Sequence, residues 1–252
     1  MLTAITRDVS PAINNCELTF LDRVGIDVAR AHQEHRAYER ALEEFGARVI
    51  SLPAEPSMPD SVFVEDVAIV LDEVAVLTNP GAESRRAESP SIAAALAPFR
   101  EIRRIHDPGT IEGGDVMRIG KTLYVGLSSR TNLAGIAQLS GHIKPFGYDV
   151  LPVTVHGCLH LKSGICSLGG ELLIANRQWV DLTPFAGFTI LDVGPAEPSA
   201  ANVLVFGNTI LMPHGFPQTT SRIAARGRAI RHVDITELRK AEAGVTCSSL
   251  IF

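Results

Sequence analysis

Side chains that can act as nucleophiles, acids or bases occur at well-separated places in this chain of 252 residues. A thiol stands at Cys247, an imidazole at His160, and carboxylates occur in PDSVFVED (59–66) and GTIEGGD (109–115). A cysteine and a histidine distant in sequence are a candidate nucleophile and its general acid/base. If folding brings them together, the thiolate could attack an electrophilic carbon covalently, with the imidazole as its acid/base.

Each of these residues also has an ordinary structural explanation. Histidines before apolar strands are often hydrogen-bonded structural residues, acids before strands commonly cap turns, and a lone thiol is compatible with an inert core position. The chain has four cysteines, which are too dispersed for a disulfide scaffold and form no CxxC pair for zinc. The position that these residues share nevertheless favours a functional site. In every predicted hairpin, polar groups stand at or just before the first strand.

The excess of acidic residues indicates the charge of the substrate. Asp60, Glu65, Asp66, Glu112 and Asp115 would surround the thiol and the imidazole. A cysteine protease stabilises a developing negative charge, whereas carboxylates hold a planar guanidinium by paired hydrogen bonds. A metal ion is the rival ligand, but the chain has no HExxH motif and no loop with EF-hand spacing. We therefore predict a cationic substrate and no metal.

Four segments predict the β-hairpins that must position these residues, each with two apolar runs around a tight turn. Gly120-Lys121, Gly169-Gly170 and Gly207-Asn208 suit the positive φ angles of such turns, and Asp72-Glu73 is the weakest turn signal. Polar residues just before these hairpins would lie near one another if the first strands surround a common axis. The hairpins cover 67–81, 115–127, 164–176 and 202–215.

The two chain ends predict a fifth hairpin. LTAIT (2–6) has no hairpin partner of its own, and GVTCSSLIF (244–252) has no return strand. Pairing these two segments would complete a fifth unit and would leave no exposed sheet edge.

A helix and a further strand are expected after each hairpin. In 26–46 apolar residues recur at helical spacing, and Gly46 suits a C-cap. Further helices are expected within 81–99, 128–146 and 215–227, and only a short one fits the third unit. Five ββαβ units, roughly 40 to 50 residues apart, would close radially. We predict an α/β fold, a five-bladed α/β-propeller closed by the two termini, with residues 1–252 as a single catalytic domain.

Composition excludes several classes of protein. The hydrophobic share of 46% and the interspersed charges are atypical of disorder, and the net charge of -5 gives no footprint for nucleic acid. No apolar run is long enough to span a membrane, and the N-terminus does not resemble a signal peptide. We expect a soluble, cytoplasmic protein that binds neither nucleic acid nor membranes.

The residue blocks together resemble the dimethylarginine dimethylaminohydrolases. These enzymes belong to the guanidine-modifying superfamily, which has the five-bladed pentein fold. The similarity extends over essentially the whole chain, in the same order and with similar spacing. It is carried by PDSVFVED (59–66), NPGAESRR (79–86), PGTIEGGD (108–115), LHLKSG (159–164) and GVTCSSL (244–250).

The resemblance implies hydrolysis of Nω-methylated L-arginine to L-citrulline and a methylamine through a covalent thiouronium on Cys247, without a cofactor. His160 would be the general acid/base, and Glu112 and Asp66 would hold the guanidinium. A homodimer is the assembly that the family suggests. The remaining substrate-binding residues implied by the resemblance are Leu18 on a lid loop, Asp60, Glu65, Arg85, Arg130 and the carbonyl of Ala241.

Two alternatives remain open at the level of sequence. An arginine deiminase, a citrulline hydrolase or another guanidino or ureido acid hydrolase would use the same site on a different substrate. A pentein-fold binding protein without catalysis, like a ribosome-associated initiation factor of this fold, would have no need for Cys247, His160 and Glu112 in matching positions.

Overall fold

The chain folds into five small three-stranded sheets in a computed structural model that describes residues 2–252. The strands are β1 (Thr3–Arg7), β2 (Arg48–Leu52), β3 (Ala68–Val70), β4 (Val74–Leu77), β5 (Glu101–Arg104), β6 (Val116–Ile119), β7 (Thr122–Leu127), β8 (Asp149–Thr154), β9 (Ile165–Ser167), β10 (Leu172–Ala175), β11 (Thr189–Asp192), β12 (Leu204–Phe206), β13 (Thr209–Pro213), β14 (Ala229–Val233) and β15 (Leu250–Ile251). The α-helices are α1 (Val28–Glu44), α2 (Ser89–Leu96), α3 (Leu133–Ile143), α4 (Leu161–Gly164), α5 (Pro217–Ala224) and α6 (Thr236–Arg239).

Every sheet has the same topology. A first strand pairs antiparallel with a middle strand, which pairs parallel with a third strand after a connection over the outside. The sheet orders are β15-β1-β2, β3-β4-β5, β6-β7-β8, β9-β10-β11 and β12-β13-β14. The first of these confirms the hairpin predicted from the two termini, with Ile5 opposite Leu250.

Local sequence explains the hairpin turns and the helix ends. Gly120 and Gly207 adopt φ angles of 60° and 58°, which residues with a Cβ rarely adopt. Helix α1 begins where the Asp27 side chain accepts a hydrogen bond from the Arg30 amide, and the chain leaves it through Gly46 at φ 83°. The helices predicted within 26–46, 81–99, 128–146 and 215–227 are all present, and the third unit has only the 3₁₀ turn Thr183–Phe185.

The hydrophobic core lies between neighbouring sheets and closes the ring. One cluster joins Ile5 of β1 to Ala75 of β4, and the next joins Val74 of β4 to Val125 of β7. The remaining clusters continue from β7 to β10, from β10 to β13, and from β13 back to β1. The predicted five-bladed propeller is confirmed. No helix in the described part of the chain is long and apolar enough to cross a membrane.

Candidate active site

A short helical turn precedes the first strand in several of the five sheets, and these turns position the polar residues. Residues Val64–Val67 form a 3₁₀ turn before β3, Gly113–Asp115 form another before β6, and α4 precedes β9. Residues 245–248 form a turn before β15. Because the first strands surround the propeller axis, the turns direct side chains from distant parts of the sequence to one place.

These side chains enclose a small cavity. Its accessible volume is about 20 Å³, room for roughly one water molecule. An arginine side chain therefore requires some of the wall to move. The lining residues are Glu17, Asp60, Phe63, Asp66, Arg85, Glu112, Arg130, Leu159, His160, Ala241, Glu242, Ala243 and Cys247.

His160 lies between two carboxylates. Its Nε2 is 2.7 Å from Oε2 of Glu112, and its Nδ1 is 3.9 Å from Oδ1 of Asp66. Burial lowers the pKa of His160, but the charge of Asp66 and the hydrogen bond with Glu112 outweigh it and raise the pKa to about 9. His160 is therefore an imidazolium at neutral pH, able to donate a proton.

The same contacts keep both carboxylates ionised. Burial raises the pKa of Asp66 and of Glu112, yet His160 and Arg85 together outweigh it and both pKa values lie below their ordinary values. Arg85 contributes further to Asp66, since its Nη1 donates to Oδ2 at 2.6 Å. The charged residues that line the cavity comprise five acids and three cations, so negative charge is in excess and attracts a cation. The acids are Glu17, Asp60, Asp66, Glu112 and Glu242, and the cations are Arg85, Arg130 and His160.

Most of the N–H groups of the Arg85 guanidinium are already hydrogen-bonded within the protein. Besides the bond to Asp66, its Nε and Nη2 donate to Glu88, and its Nη2 also donates to the carbonyl oxygens of Asp60 and Phe63. A guanidinium carries five N–H groups, so a single Nη1 hydrogen remains for a substrate. In this structure Arg85 mainly fixes Asp66 at the cavity wall.

The GGD segment (113–115) is part of the site, because its backbone lies very close to the site residues. The Gly114 amide donates to Oδ1 of Asp66 at 3.0 Å. A Cβ on Gly114 would lie 2.5 Å from Nδ1 of His160, and one on Gly113 would lie 1.9 Å from the Glu65 carbonyl oxygen. Only glycine fits at either position. Gly114 allows His160 and Asp66 to approach the backbone closely, and Gly113 allows the 3₁₀ turn that carries Glu65 to do the same.

Asp115 positions the start of α4 through its hydrogen bonds. Its Oδ2 accepts hydrogen bonds from Ser128 and Thr131, and its Oδ1 accepts one from the Leu161 amide at 2.9 Å. Leu161 follows His160 directly, so this buried carboxylate ties the second unit of the ring to the start of α4.

Cys247 is a thiol in the resting site. Burial raises the pKa of Cys247 well above its ordinary value, and the negative charges of Glu65 and Asp66 raise it further. The Gly244 amide donates to Sγ at 3.3 Å, which partly offsets this effect. Ionisation of the thiol is therefore favoured only by additional positive charge close to the sulfur. Cys16, Cys158 and Cys166 are also free, and all three are buried.

A second polar network lies next to the cavity, formed by the sequence neighbours of the site residues. Glu65 forms an ion pair with Nζ of Lys162 at 2.5 Å and accepts a hydrogen bond from Thr246. Asn202 donates to Thr246 and to the Lys162 carbonyl. Glu65 and Lys162 line a separate axial cavity of about 130 Å³ bounded by β3, β6 and β15. The pair lines this axial cavity and not the active-site cavity.

Residues 17–21, here called the lid segment, lie at the rim of the cavity. The Glu17 amide donates to Asp60, and the Thr19 hydroxyl accepts a hydrogen bond from Nη2 of Arg130 at 3.1 Å. The carboxylate of Glu242 accepts from three consecutive lid amides, those of residues 19, 20 and 21. Glu242 has φ 60°, the only positive φ at a non-glycine position in residues 2–252. One carboxylate therefore ties the lid segment to the opposite side of the rim.

Comparison with known proteins gives the family. A model of eukaryotic N,N dimethylarginine dimethylhydrolase matches residues 8–180. The N(G),N(G)-dimethylarginine dimethylaminohydrolase of Pseudomonas aeruginosa is 38% identical over 228 residues, which cover 90% of each chain. The Streptomyces coelicolor enzyme of the same name is 38% identical over 98% of this chain and 95% of its own. The chain belongs to the dimethylarginine dimethylaminohydrolase family.

Solved structures of this family agree in fold. A cysteine-to-serine mutant of the Pseudomonas aeruginosa enzyme in complex with citrulline has a TM-score of 0.95 at 35% identity, with both chains covered completely. The N-terminal domain of a cyanobacterial arginine dihydrolase has a TM-score of 0.86 at 18% identity, over all of this chain and 98% of that one. At that identity the second similarity establishes the shared pentein fold alone.

The structure brings most of the residues predicted from the family resemblance together at one cavity. Leu18 and Glu65 do not line it. Leu18 is half-buried against the cluster that contains Ala241, and the Glu65 carboxylate faces Lys162. The predicted residues that do line the cavity are Asp60, Asp66, Arg85, Glu112, Arg130, His160, Ala241 and Cys247.

Sequence reasoning missed several lining residues of this family member. Glu17, Leu159 and Ala243 are direct neighbours, or neighbours but one, of predicted residues, so their sequence position was the available signal. Phe63 lies within the PDSVFVED block that had been selected for its acids. Glu242 directly follows the predicted Ala241, but its contact with the lid amides had no signal, because these partners are more than 220 residues away in sequence.

Proposed function

We propose that this enzyme hydrolyses Nω-methylated L-arginine to L-citrulline and a methylamine, and that residues 1–252 form a single catalytic domain. One observation carries the proposal: Cys247, the His160 imidazolium and two ionised carboxylates line the same cavity in a chain of this family. Free thiols at all four cysteines are in keeping with a reducing, cytoplasmic location. The homodimer remains a prediction.

The substrate guanidinium occupies the space beside Asp66 and Glu112. A planar cation with several N–H donors matches the free lone pairs of two ionised carboxylates. Asp66, Glu112 and His160 are also compact enough to hold a metal ion, since their ligand atoms lie within 4.8 Å of one another. However, Nε2 of His160 is already hydrogen-bonded to Glu112, and a protonated imidazole is not a metal ligand. We therefore assign the two carboxylates to the guanidinium.

The bound cation activates its own nucleophile. Asp66 is one of the acids that raise the pKa of Cys247, and a guanidinium bound beside Asp66 neutralises its charge. The positive charge of the guanidinium then favours the thiolate, and the thiol proton passes to solvent. The thiolate attacks the guanidinium carbon to give a tetrahedral adduct. His160 donates its proton to the departing methylamine, and the C–N bond breaks to leave a thiouronium on Cys247.

The second half of the reaction uses His160 in the opposite sense. Neutral His160 accepts a proton from water, and the resulting hydroxide attacks the thiouronium carbon. The C–S bond then breaks, citrulline leaves, and the active site regains the thiol and the imidazolium. The sum is one methylated arginine and one water converted to one citrulline and one methylamine.

The amino-acid end of the substrate lies toward the lid segment. Nη2 of Arg130 donates to the Thr19 hydroxyl of the lid, and Nη1 lies 3.5 Å from Oε1 of Glu112. We assign Arg130 to the substrate carboxylate, with the single free N–H of Arg85 as a second donor. Asp60 and the Ala241 carbonyl receive the substrate amino group, and Leu18 holds the lid by packing against the core. Burial raises the pKa of Asp60 to about 6, and a bound ammonium would favour its ionised form.

A substrate comparison tests the proposed function. Asymmetric dimethylarginine, monomethylarginine, arginine and citrulline are assayed side by side for released amine, ammonia and ornithine. The proposal expects the highest kcat/KM for a methylated arginine, with citrulline as the product. A preference for arginine with release of ammonia, or for citrulline with release of ornithine, would assign the site to a different hydrolase of this superfamily.

Substitution of Arg130 and substitution of Arg85 should have different effects on the steady-state kinetics. Arg130→Ala removes a charge-assisted hydrogen bond, which contributes about 1.5–3 kcal/mol, so KM should rise by roughly 10- to 100-fold with a smaller change in kcat. Arg85→Ala should lower kcat as well, because it leaves Asp66 and Glu88 buried without their cation. Steady-state kinetics of both variants check this, and an unchanged KM in Arg130→Ala would place the carboxylate elsewhere.

The lid contact gives a separate prediction. Glu242→Ala removes the acceptor of three lid amides, so the lid should open more readily and KM should rise at least about fivefold, with kcat changed less. Two further variants serve as controls. Glu242→Gly removes the same acceptor but relieves the positive φ angle. Glu44→Ala removes an exposed acid far from the lid and controls for the loss of an acid as such. Equal KM values in Glu242→Gly and wild type would show that the carboxylate does not hold the lid.

A further inference from the structure

A second cavity lies beside the active site, on the other side of the lid segment. This side pocket has a volume of about 360 Å³ and shares Leu159, Glu242 and Ala243 with the active-site cavity. Its volume falls within the range of small-molecule sites in proteins. The active-site cavity is much smaller, so the side pocket is the larger preformed space at this end of the propeller.

The walls of the side pocket are largely apolar. Phe20 and Leu21 of the lid segment form one part, and each is 50% exposed. Trp179 and Leu159 form another part. Two large apolar side chains that are half exposed on a loop, next to an indole ring, are an unusual surface for a protein without a ligand there.

The side pocket contains a guanidinium without a counter-charge. Arg239 lies over the ring of Phe216 at 4.6 Å, and none of the carboxylates in residues 2–252 forms an ion pair with it. Burial lowers the pKa of Arg239, and no acid counteracts that effect. Glu242, the acid that also lines the pocket, is hydrogen-bonded to the lid amides instead. A half-buried, unpaired guanidinium is a ready partner for a carboxylate.

We propose that the side pocket binds a small carboxylate with a flat apolar body, its ring against Phe20, Leu21 and Trp179 and its carboxylate at Arg239. This ligand differs in charge from the cationic substrate assigned to the active site. The proposal therefore goes beyond the proposed function and does not depend on it. A ligand in this position contacts two lid residues but not the nucleophile.

The chain provides its own probe of this site, because Trp179 is its only tryptophan. We would titrate the protein with (4-nitrophenyl)acetic acid, whose nitrophenyl group quenches indole fluorescence, and with the isosteric neutral (4-nitrophenyl)acetamide. Saturable quenching is expected for both, with a Kd at least about tenfold lower for the acid, since only the acid forms a charge-assisted hydrogen bond with Arg239. Citrulline at saturation should leave quenching in place, because it occupies the other cavity.

Variants separate this site from general surface binding. Arg239→Gln should abolish the preference for the acid, and Arg239→Lys should keep part of it. Arg228→Gln removes a half-buried arginine that is bonded to backbone carbonyls elsewhere, and it should leave the preference unchanged. Turnover of all three should stay near that of wild type, which shows that they are folded. Non-saturating quenching, equal affinity for acid and amide, an undiminished preference in Arg239→Gln, or displacement of the acid by citrulline would each overturn the proposal.

Discussion

Cys247→Ser is expected to lose turnover by at least roughly 10³-fold while it still binds citrulline. A serine hydroxyl ionises far less readily than a thiol, and the bound guanidinium that favours a thiolate cannot compensate for that difference. The oxygen also occupies the place of the sulfur without large steric change, so binding should be retained. Steady-state kinetics and calorimetric titration with citrulline measure the two effects separately.

A matched variant controls for the loss of a thiol as such. Cys166→Ala removes a thiol that is buried and bonded to the Lys162 carbonyl but does not line the active-site cavity. It should keep near-normal kcat. Near-normal turnover in Cys247→Ser, or an equal loss in Cys166→Ala, would remove Cys247 from the role of nucleophile.

His160→Gly is expected to lower kcat by more than about 100-fold, the lower end of what a general acid/base contributes. The leaving methylamine would have no proton donor, and water would have no base. Because the change also leaves Glu112 and Asp66 without their imidazolium, a loss of activity could reflect altered carboxylates. Added imidazole should therefore restore part of the activity of His160→Gly, and it should not restore Cys247→Ser. Absence of any such rescue, with a folded variant, would contradict the assigned role.

The pH profile of the wild type provides a second test of His160. Below about pH 9 the resting site carries a thiol and an imidazolium, whereas attack requires a thiolate and an imidazolium, which is one proton fewer. The value of kcat/KM should therefore rise with pH until the site has lost one proton, at about pH 9, which is the pKa of His160. Above that pH it should level off. A maximum near pH 6 to 7 would mean that the resting site already holds the ion pair.

The fold could be predicted from the sequence because its information is local and repeated. Gly120 and Gly207 mark turns by their own backbone preference, and the segments at the two ends, each without a hairpin partner nearby in sequence, can complete a hairpin with each other. The short turns that carry the site residues, such as α4 and Gly113–Asp115, were not predicted. Three or four residues are too few to show a helical period, so only the surrounding structure defines them.

The site could be predicted only in part. Residue types and their place before strands identified Cys247 and His160, since reactive groups in this position are few. The partners of Arg85 and the pairing of Glu65 with Lys162 depend on side-chain packing across units, which no sequence spacing encodes. The same holds for protonation, because the raised pKa of His160 follows from two carboxylates that other units supply.

In the proposed mechanism a bound planar cation activates Cys247, and a pair of matched alkylating agents tests this step. Chloroacetamidine is a planar cation, and chloroacetamide is its neutral counterpart. Their rates of reaction with the protein are measured by mass spectrometry and divided by their rates with free cysteine. We expect chloroacetamidine to label Cys247 alone, at a normalised rate at least about 100-fold higher than that of chloroacetamide, and citrulline to block it. Equal normalised rates, or labelling spread over Cys16, Cys158 and Cys166, would contradict the account.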